Sequence, residues 1–136
     1  MIVVDASVVV KWFVPEPNAD KAEEILHSDQ RLLAPELIRI EVAATFTRLL
    51  RMNEIDIAKT QLLLDKWRLY LERQAISLEK TLTHLPLAEE LSMTLKHPLQ
   101  DCFYLAVARR FKVPLVTADQ KLLKKVASTD DDVRSL

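Results

Sequence analysis

Three β-branched apolar residues in succession, Ile2-Val3-Val4, run directly into a carboxylate, Asp5. A strand with no polar alternation is buried on both faces, as in a parallel sheet covered by helices above and below. The rest of the chain must therefore supply further short strands with helices between them. The runs Arg31-Leu32-Leu33-Ala34, Ala75-Ile76-Ser77-Leu78, Leu115-Val116-Thr117 and Val133-Arg134-Ser135-Leu136 read as those strands. A run this apolar should end on a neutral or turn-forming residue. In open α/β sheets ligands lie beyond the carboxyl ends of the strands, where Asp5 would project.

The intervening segments carry helix signals. Ala6 to Phe13 reads as a short helix with Ser7 in its first turn, stopped by Pro15 and Pro17. Asn18 is placed to cap a helix from Ala19 to about His27, with Ala22, Ile25 and Leu26 inward. Pro35 suits the first position of a helix running to about Met52, Asn53-Glu54 breaks it, and Ile55 to about Arg73 follows as its antiparallel partner. Thr83 would cap a helix from about His84 to Lys96, Pro98 opens one to about Phe111, and Asp119 begins one to about Ala127. Asp130-Asp131-Asp132 reads as a solvated loop. The expected fold is α/β, a three-layer α/β/α sandwich with a mainly parallel sheet of four or five strands and a protruding long helical hairpin. Residues 1–136 are expected to form a single domain. Right-handed crossovers bring the N-termini of the crossover helices to the sheet edge that holds Asp5.

The 136 residues include no glycine, where average usage of about 7% would give roughly nine or ten. Walker loops and Rossmann turns need glycine for close backbone approach to phosphate, so both are excluded. A formal net charge of −1 offers no global attraction to nucleic acid, which leaves a local basic patch and metal ions as the means of recognition. One cysteine, Cys102, fits a reducing compartment. The chain enters a strand at once, without signal-peptide character, and no apolar run nears the roughly 18 residues of a membrane span. A cytoplasmic protein is expected.

Topology gathers three further acids with Asp5. Glu41 shares a helix face with Leu37, Ile38 and Thr45, where an ionised side chain is costly unless paired or metal-bound. Arg39 and Arg48 are its competing partners, although the i+4 position is Thr45. Asp101 lies in the first turn of an apolar helix, where a cap or a helix-dipole role competes with ligation. Asp119 follows a strand and precedes a helix, so it has the same ambiguity. Ser7 and Thr117 are hydroxyls that could support the acids or simply line turns. Clustered carboxylates repel one another, and a hard divalent cation with oxygen ligands removes the conflict.

The ordered set Val3-Val4-Asp5-Ala6-Ser7, Glu41 early in a long helix, Gln100-Asp101-Cys102-Phe103-Tyr104-Leu105-Ala106 and Leu115-Val116-Thr117-Ala118-Asp119-Gln120-Lys121-Leu122 resembles the PIN-domain nucleases, and among them the VapC-type toxins of toxin–antitoxin pairs. The resemblance spans essentially the whole chain and departs from the family at Cys102, where alanine is common. It implies a divalent-metal-dependent endoribonuclease with Asp5, Glu41, Asp101 and Asp119 as metal ligands and catalytic acids, and Ser7 and Thr117 as supporting polar groups. Asp5 and Asp101 would be the core ligands. Mg2+ is the expected cofactor, with Mn2+ able to substitute, as one or two ions. Hydrolysis would leave a 5′-phosphate and a 3′-hydroxyl. An inactive PIN-like binding module and a non-toxin PIN nuclease of RNA processing are the alternatives.

A basic rim for RNA phosphates is expected from Lys11, Arg39, Arg48, Arg51, Arg109, Arg110, Lys112 and Lys121, with Lys11 and Lys121, close to the acidic motifs, the better candidates. His27, His84 and His97 fall at helix ends or in polar stretches, where capping or exposure is expected. Leu62-Leu63-Leu64 and Trp67-Arg68-Leu69-Tyr70-Leu71 spread apolar side chains around more of their helix than one core-facing stripe uses. That pattern fits a helix packed on two sides, a homodimer, or a groove for the antitoxin that the resemblance implies.

Overall fold

The structure, a computed structural model, describes residues 1–136. Five parallel strands, β1 (Ile2–Val4), β2 (Leu32–Pro35), β3 (Ser77–Glu79), β4 (Leu115–Thr117) and β5 (Val133–Ser135), form one sheet in the order β3-β2-β1-β4-β5. The central strand is the β-branched run: Val3 pairs with Leu33 on one side and Leu115 on the other, and Val3 and Val4 are wholly buried. The helices are α1 (Ala6–Val9, continued by a 3-10 turn over Val10–Trp12), α2 (Ala19–Leu26), α3 (Ile38–Arg51), α4 (Ile57–Glu72), α5 (Leu85–Leu95), α6 (Leu99–Phe111) and α7 (Gln120–Val126). The chain moves outward from β1 through β2 to β3, then crosses back past β1 to β4 and β5. Right-handed crossovers therefore put α1–α4 on one face and α5–α7 on the other. The order reverses between β1 and β4, so a crevice opens at their carboxyl ends. Asp5 follows one of these strands and Thr117 ends the other.

One hydrophobic core of 28 buried residues joins the layers. Helix α6 packs against β1, β2 and β4, and every residue from Cys102 to Ala108 is buried. The α3–α4 hairpin is seated on the turn after α1. Phe13 stacks edge-on against Phe46, Trp67 and Tyr70, with ring centroids 5.7, 6.0 and 4.9 Å away. Leu63 and Trp67 point into this seat, while Leu62 and Leu69 stay 46% and 39% exposed, so the apolar spread of α4 is divided between core and surface.

Several local expectations are corrected. Pro35 closes β2, and α3 starts three residues later at Ile38. Asn18 precedes α2 in a left-handed conformation and makes no side-chain cap. Thr83 lies in a 3-10 turn over Thr81–His84 and caps nothing. The acidic run is not uniformly solvated: Asp131 accepts two hydrogen bonds from Arg109, at 2.6 and 2.8 Å, with its side chain 8% exposed. That pairing removes Arg109 from the free basic rim. Of the histidines only His27 is exposed; His84 and His97 are buried at 3% and 6% exposure.

Candidate active site

Asp5 occupies the residue between β1 and α1, in extended backbone. Its Oδ1 accepts hydrogen bonds from Ser7 Oγ at 2.5 Å and from the Val8 N–H at 3.3 Å, and its Oδ2 accepts one from Thr117 Oγ1. The two hydroxyls are fixed in turn, Ser7 by the Ala118 N–H and Thr117 by the Asp119 N–H, each at 2.9 Å. These bonds tie the carboxyl ends of β1 and β4 together around one carboxylate. Burial pushes Asp5 up from 3.8 to about 6, while Ser7, Thr117 and Val8 oppose the shift by stabilising the anion.

Glu41, in the first turn of α3, is raised from 4.5 to about 7, first by burial and then by the charge of Asp101. Its Oε1 is buried with no well-aligned hydrogen bond. Neither Arg39 nor Arg48 pairs with it; Arg48 lines the cleft instead. Tyr104, from the buried face of α6, brings a phenol beside Glu41, and burial together with that carboxylate raises its pKa far above the ordinary value. Asp101, in the first turn of α6, is also raised, chiefly by burial. Asp119 caps α7 through Oδ1, which accepts the N–H groups of Lys121 at 2.9 Å and Leu122 at 3.3 Å.

The four acids thus line one cleft of about 350 Å³ with Ser7, Lys11 and Tyr104. Lys11 Nζ lies 3.8 Å from Glu16 Oε1, so its charge is already partly answered. A second groove, of about 880 Å³, shares Asp101 and Asp119 with the cleft, and Lys96, His97, Lys121, Lys124 and Lys125 are among the residues that line it. The structure brings the four expected acids and the two expected hydroxyls, Ser7 and Thr117, to one place. Sequence reasoning missed Tyr104, the lysines beyond Lys121, and His97, whose Nε2 lies 2.9 Å from Asp101 Oδ2 and 4.0 Å from Asp119 Oδ2. The spacing of four between His97 and Asp101 was the available signal for the last; the intervening Pro98 made it read as a break.

The four carboxylates thus converge on the switch point of an α/β sheet. The chain belongs to the PIN domain family, whose model matches residues 2–128. No curated protein matches the sequence. Among solved structures it is similar to a toxin–antitoxin complex from Klebsiella pneumoniae, with TM-score 0.69 and 17% identity over 98% of this chain and 96% of that one. It is also similar to VapC20 of Mycobacterium tuberculosis, a sarcin–ricin loop cleaving toxin, with TM-score 0.65 and 14% identity over 98% and 99% of the two chains. FitAcB from Neisseria gonorrhoeae gives TM-score 0.65 and 19% identity over 98% and 96%. At these identities the likeness is one of fold. No helix is long and apolar enough to cross a membrane.

Proposed function

We propose that the chain is a divalent-metal-dependent endoribonuclease that hydrolyses RNA phosphodiester bonds, and that it acts in the cytoplasm as the toxin of a toxin–antitoxin pair. The observation that carries this reading is the convergence of Asp5, Glu41, Asp101 and Asp119 on one cleft, with Asp5 and Glu41 pushed up to about 6 and about 7. Carboxyl groups held in so unfavourable a state answer a cation rather than a structural need. The donor set fits one: all four offer oxygen, and Glu41 Oε1 is buried with no well-aligned hydrogen bond, the Tyr104 phenol being the protein group beside the carboxylate. When bound there, Mg2+ or Mn2+ would lower the pKa of a water and neutralise charge on the scissile phosphate.

The chain's own groups supply the rest. Asp5, fixed by Ser7, Thr117 and the Val8 N–H, is one core ligand, and Asp101, on the same cleft, is the second. Glu41 and Asp119 serve as further ligands, directly or through water. Lys121, with Lys96, Lys124 and Lys125 along the adjoining groove, answers the phosphates of a polyanion whose cut bond sits over Asp101. Lys11, tied to Glu16, contributes within the carboxylate cleft itself. The half-exposed Leu62 and Leu69 of the hairpin are the surface offered to an antitoxin segment or to a second copy. The toxin–antitoxin assembly of the similar Klebsiella protein supports the first.

Cleavage of a labelled RNA tests the reading. The wild type should cut with Mg2+ or Mn2+ and stop with EDTA, and Asp5→Asn or Asp101→Asn should lose at least about a hundredfold in rate, the scale of removing one group that stabilises developing charge. Wild-type rates in either folded variant would remove the carboxylates from the chemistry.

A further inference from the structure

His97 is drawn into the site by the way α5 ends. Lys96 turns the chain into the left-handed region at φ 50°, the His97 N–H donates to the Ser92 carbonyl at 3.3 Å, and Ser92 Oγ donates to the His97 carbonyl at 2.7 Å. Pro98 follows and α6 begins. The imidazole is thereby fixed between the start of α6 and the start of α7, with its side chain 4% exposed. Its Nε2 is buried at ion-pair distance from Asp101 Oδ2, 2.9 Å, and 4.0 Å from Asp119 Oδ2, yet it is aligned for a hydrogen bond with neither. Asp119 spends Oδ1 on its helix cap, so Oδ2 is the oxygen left free toward the ring. One donor atom from each of the three residues lies within 4.8 Å of the others.

A nitrogen close to two carboxylate oxygens yet aligned for a hydrogen bond with neither has the arrangement of ligands that face a common third atom. Neighbouring ligands on an octahedral ion with bonds of about 2.1 Å stand about 3 Å apart, and opposite ligands about 4.2 Å. Separations of 2.9 and 4.0 Å from His97, with all three atoms within 4.8 Å of one another, put the set within reach of one such ion. The carboxylate side chains are 31% and 30% exposed, so solvent reaches the remaining positions.

We propose that His97 Nε2, Asp101 Oδ2 and Asp119 Oδ2 form a mixed nitrogen–oxygen position for a divalent cation, one that takes a first-row transition ion in preference to Mg2+. This rests on the cation reading of the acidic cleft and deepens it, because Asp101 and Asp119 belong to both donor sets while Asp5 and Glu41 complete the all-oxygen one. Mg2+ favours oxygen and sheds its waters reluctantly, whereas imidazole suits transition ions. His84 and His27 do not compete: His84 lies 3.6 Å from Glu79 away from the cleft, and His27 is exposed.

The test uses the full-length protein with Mn2+ as the probe. Electron-spin-echo spectroscopy of the Mn2+-loaded wild type should show modulation from a directly bound 14N, and His97→Gln should abolish it. By calorimetry, His97→Gln should weaken one Mn2+ site at least about tenfold while changing Mg2+ affinity less than threefold. Circular dichroism of His97→Gln confirms that it folds, and the wild-type spectrum stands without it. Absence of 14N coupling in the Mn2+-loaded wild type, or its persistence in His97→Gln, overturns the nitrogen ligand while leaving metal-dependent cleavage intact. A wild type that binds neither Mn2+ nor Mg2+ overturns this position and the cation reading together.

Discussion

At the scale of single residues, the site is assembled against the stability of the fold. In the unfolded chain Asp5 ionises near 3.8, but in the folded protein it holds its proton to about 6. Below about pH 4 both states are protonated, and the group does not discriminate between them. As pH rises through that interval the unfolded chain releases a proton that the folded chain retains, so stability falls. A shift of about two units at about 1.4 kcal/mol each makes the full loss roughly 3 kcal/mol for Asp5, and Glu41 acts in the same direction up to about pH 7. Asp131 has the opposite sign, since Arg109 holds it below the usual range, and its contribution is lost only as pH falls below about 4. Between pH 5 and pH 8 the site acids therefore dominate. In EDTA, urea midpoints should be higher at pH 5 than at pH 8, and Asp5→Asn should flatten that slope and be more stable than wild type at pH 8. Mg2+ or Mn2+ should stabilise the wild type chiefly at the higher pH. Equal apo stability at the two pH values would mean that Asp5 and Glu41 are not held in the unfavourable state described.

At the scale of elements, the missing glycines reappear as left-handed residues at helix ends. Gln74, after α4, has φ 54°; its N–H donates to the Leu71 carbonyl at 3.1 Å, and the Ala75 N–H donates to the Tyr70 carbonyl at 3.0 Å. This pair of bonds is the Schellman closure, in which glycine is the preferred residue. Asn53, Lys96 and Lys112 stand at φ 57°, 50° and 54° in the same role. A side chain other than glycine in this region costs about 1–2 kcal/mol, part of which glycine returns through its greater freedom when unfolded. Gln74 is exposed and makes no side-chain hydrogen bond, so Gln74→Gly should stabilise the protein by about 0.5–1 kcal/mol, read as a rise in urea midpoint at constant m-value. A lower midpoint would show that the Gln74 side chain contributes something the backbone does not. The helices expected to run to about Met52, Arg73, Lys96 and Phe111 end at Arg51, Glu72, Leu95 and Phe111, so the ends were legible without glycine and only the turns that follow them were not. Asn53-Glu54 gave a recognisable break, but nothing in Leu95-Lys96-His97 announces a turn that buries a histidine. β1 is legible because β-branched residues without alternation have few other uses, whereas Ala75–Leu78 was placed two residues early against the observed Ser77–Glu79, because Ala75 and Ile76 are as apolar as the strand itself.

At the scale of the whole molecule, the acids were legible because parallel topology brings the residues after β1 and β4, and those opening α3 and α6, to one edge. The groups that line the approach were not, since a lysine on α7 reads the same whether it faces a groove or bulk water. A net charge of −1 conceals a separation of charge across that edge, with carboxylates in the cleft and Lys96, Lys121, Lys124 and Lys125 along the groove beside it. Such a surface attracts a polyanion only locally, and it does so by releasing counterions from the phosphates it neutralises. Each phosphate contact to a single strand contributes about 0.7 to the slope of log affinity against log salt. Lys124→Ala with Lys125→Ala should therefore flatten the salt dependence of RNA binding by roughly 1.4 and raise KM several-fold. The rate at saturating RNA should hold, because neither side chain lines the carboxylate cleft. Asp101→Asn should do the reverse, reducing kcat while the salt slope stays. Titration of a catalytically silent variant with fluorescent RNA across 50–300 mM salt, beside steady-state kinetics of the lysine pair, separates the two. An unchanged slope in the lysine variant would move the path of the RNA off α7 and towards Lys11 and Arg48, which line the carboxylate cleft itself.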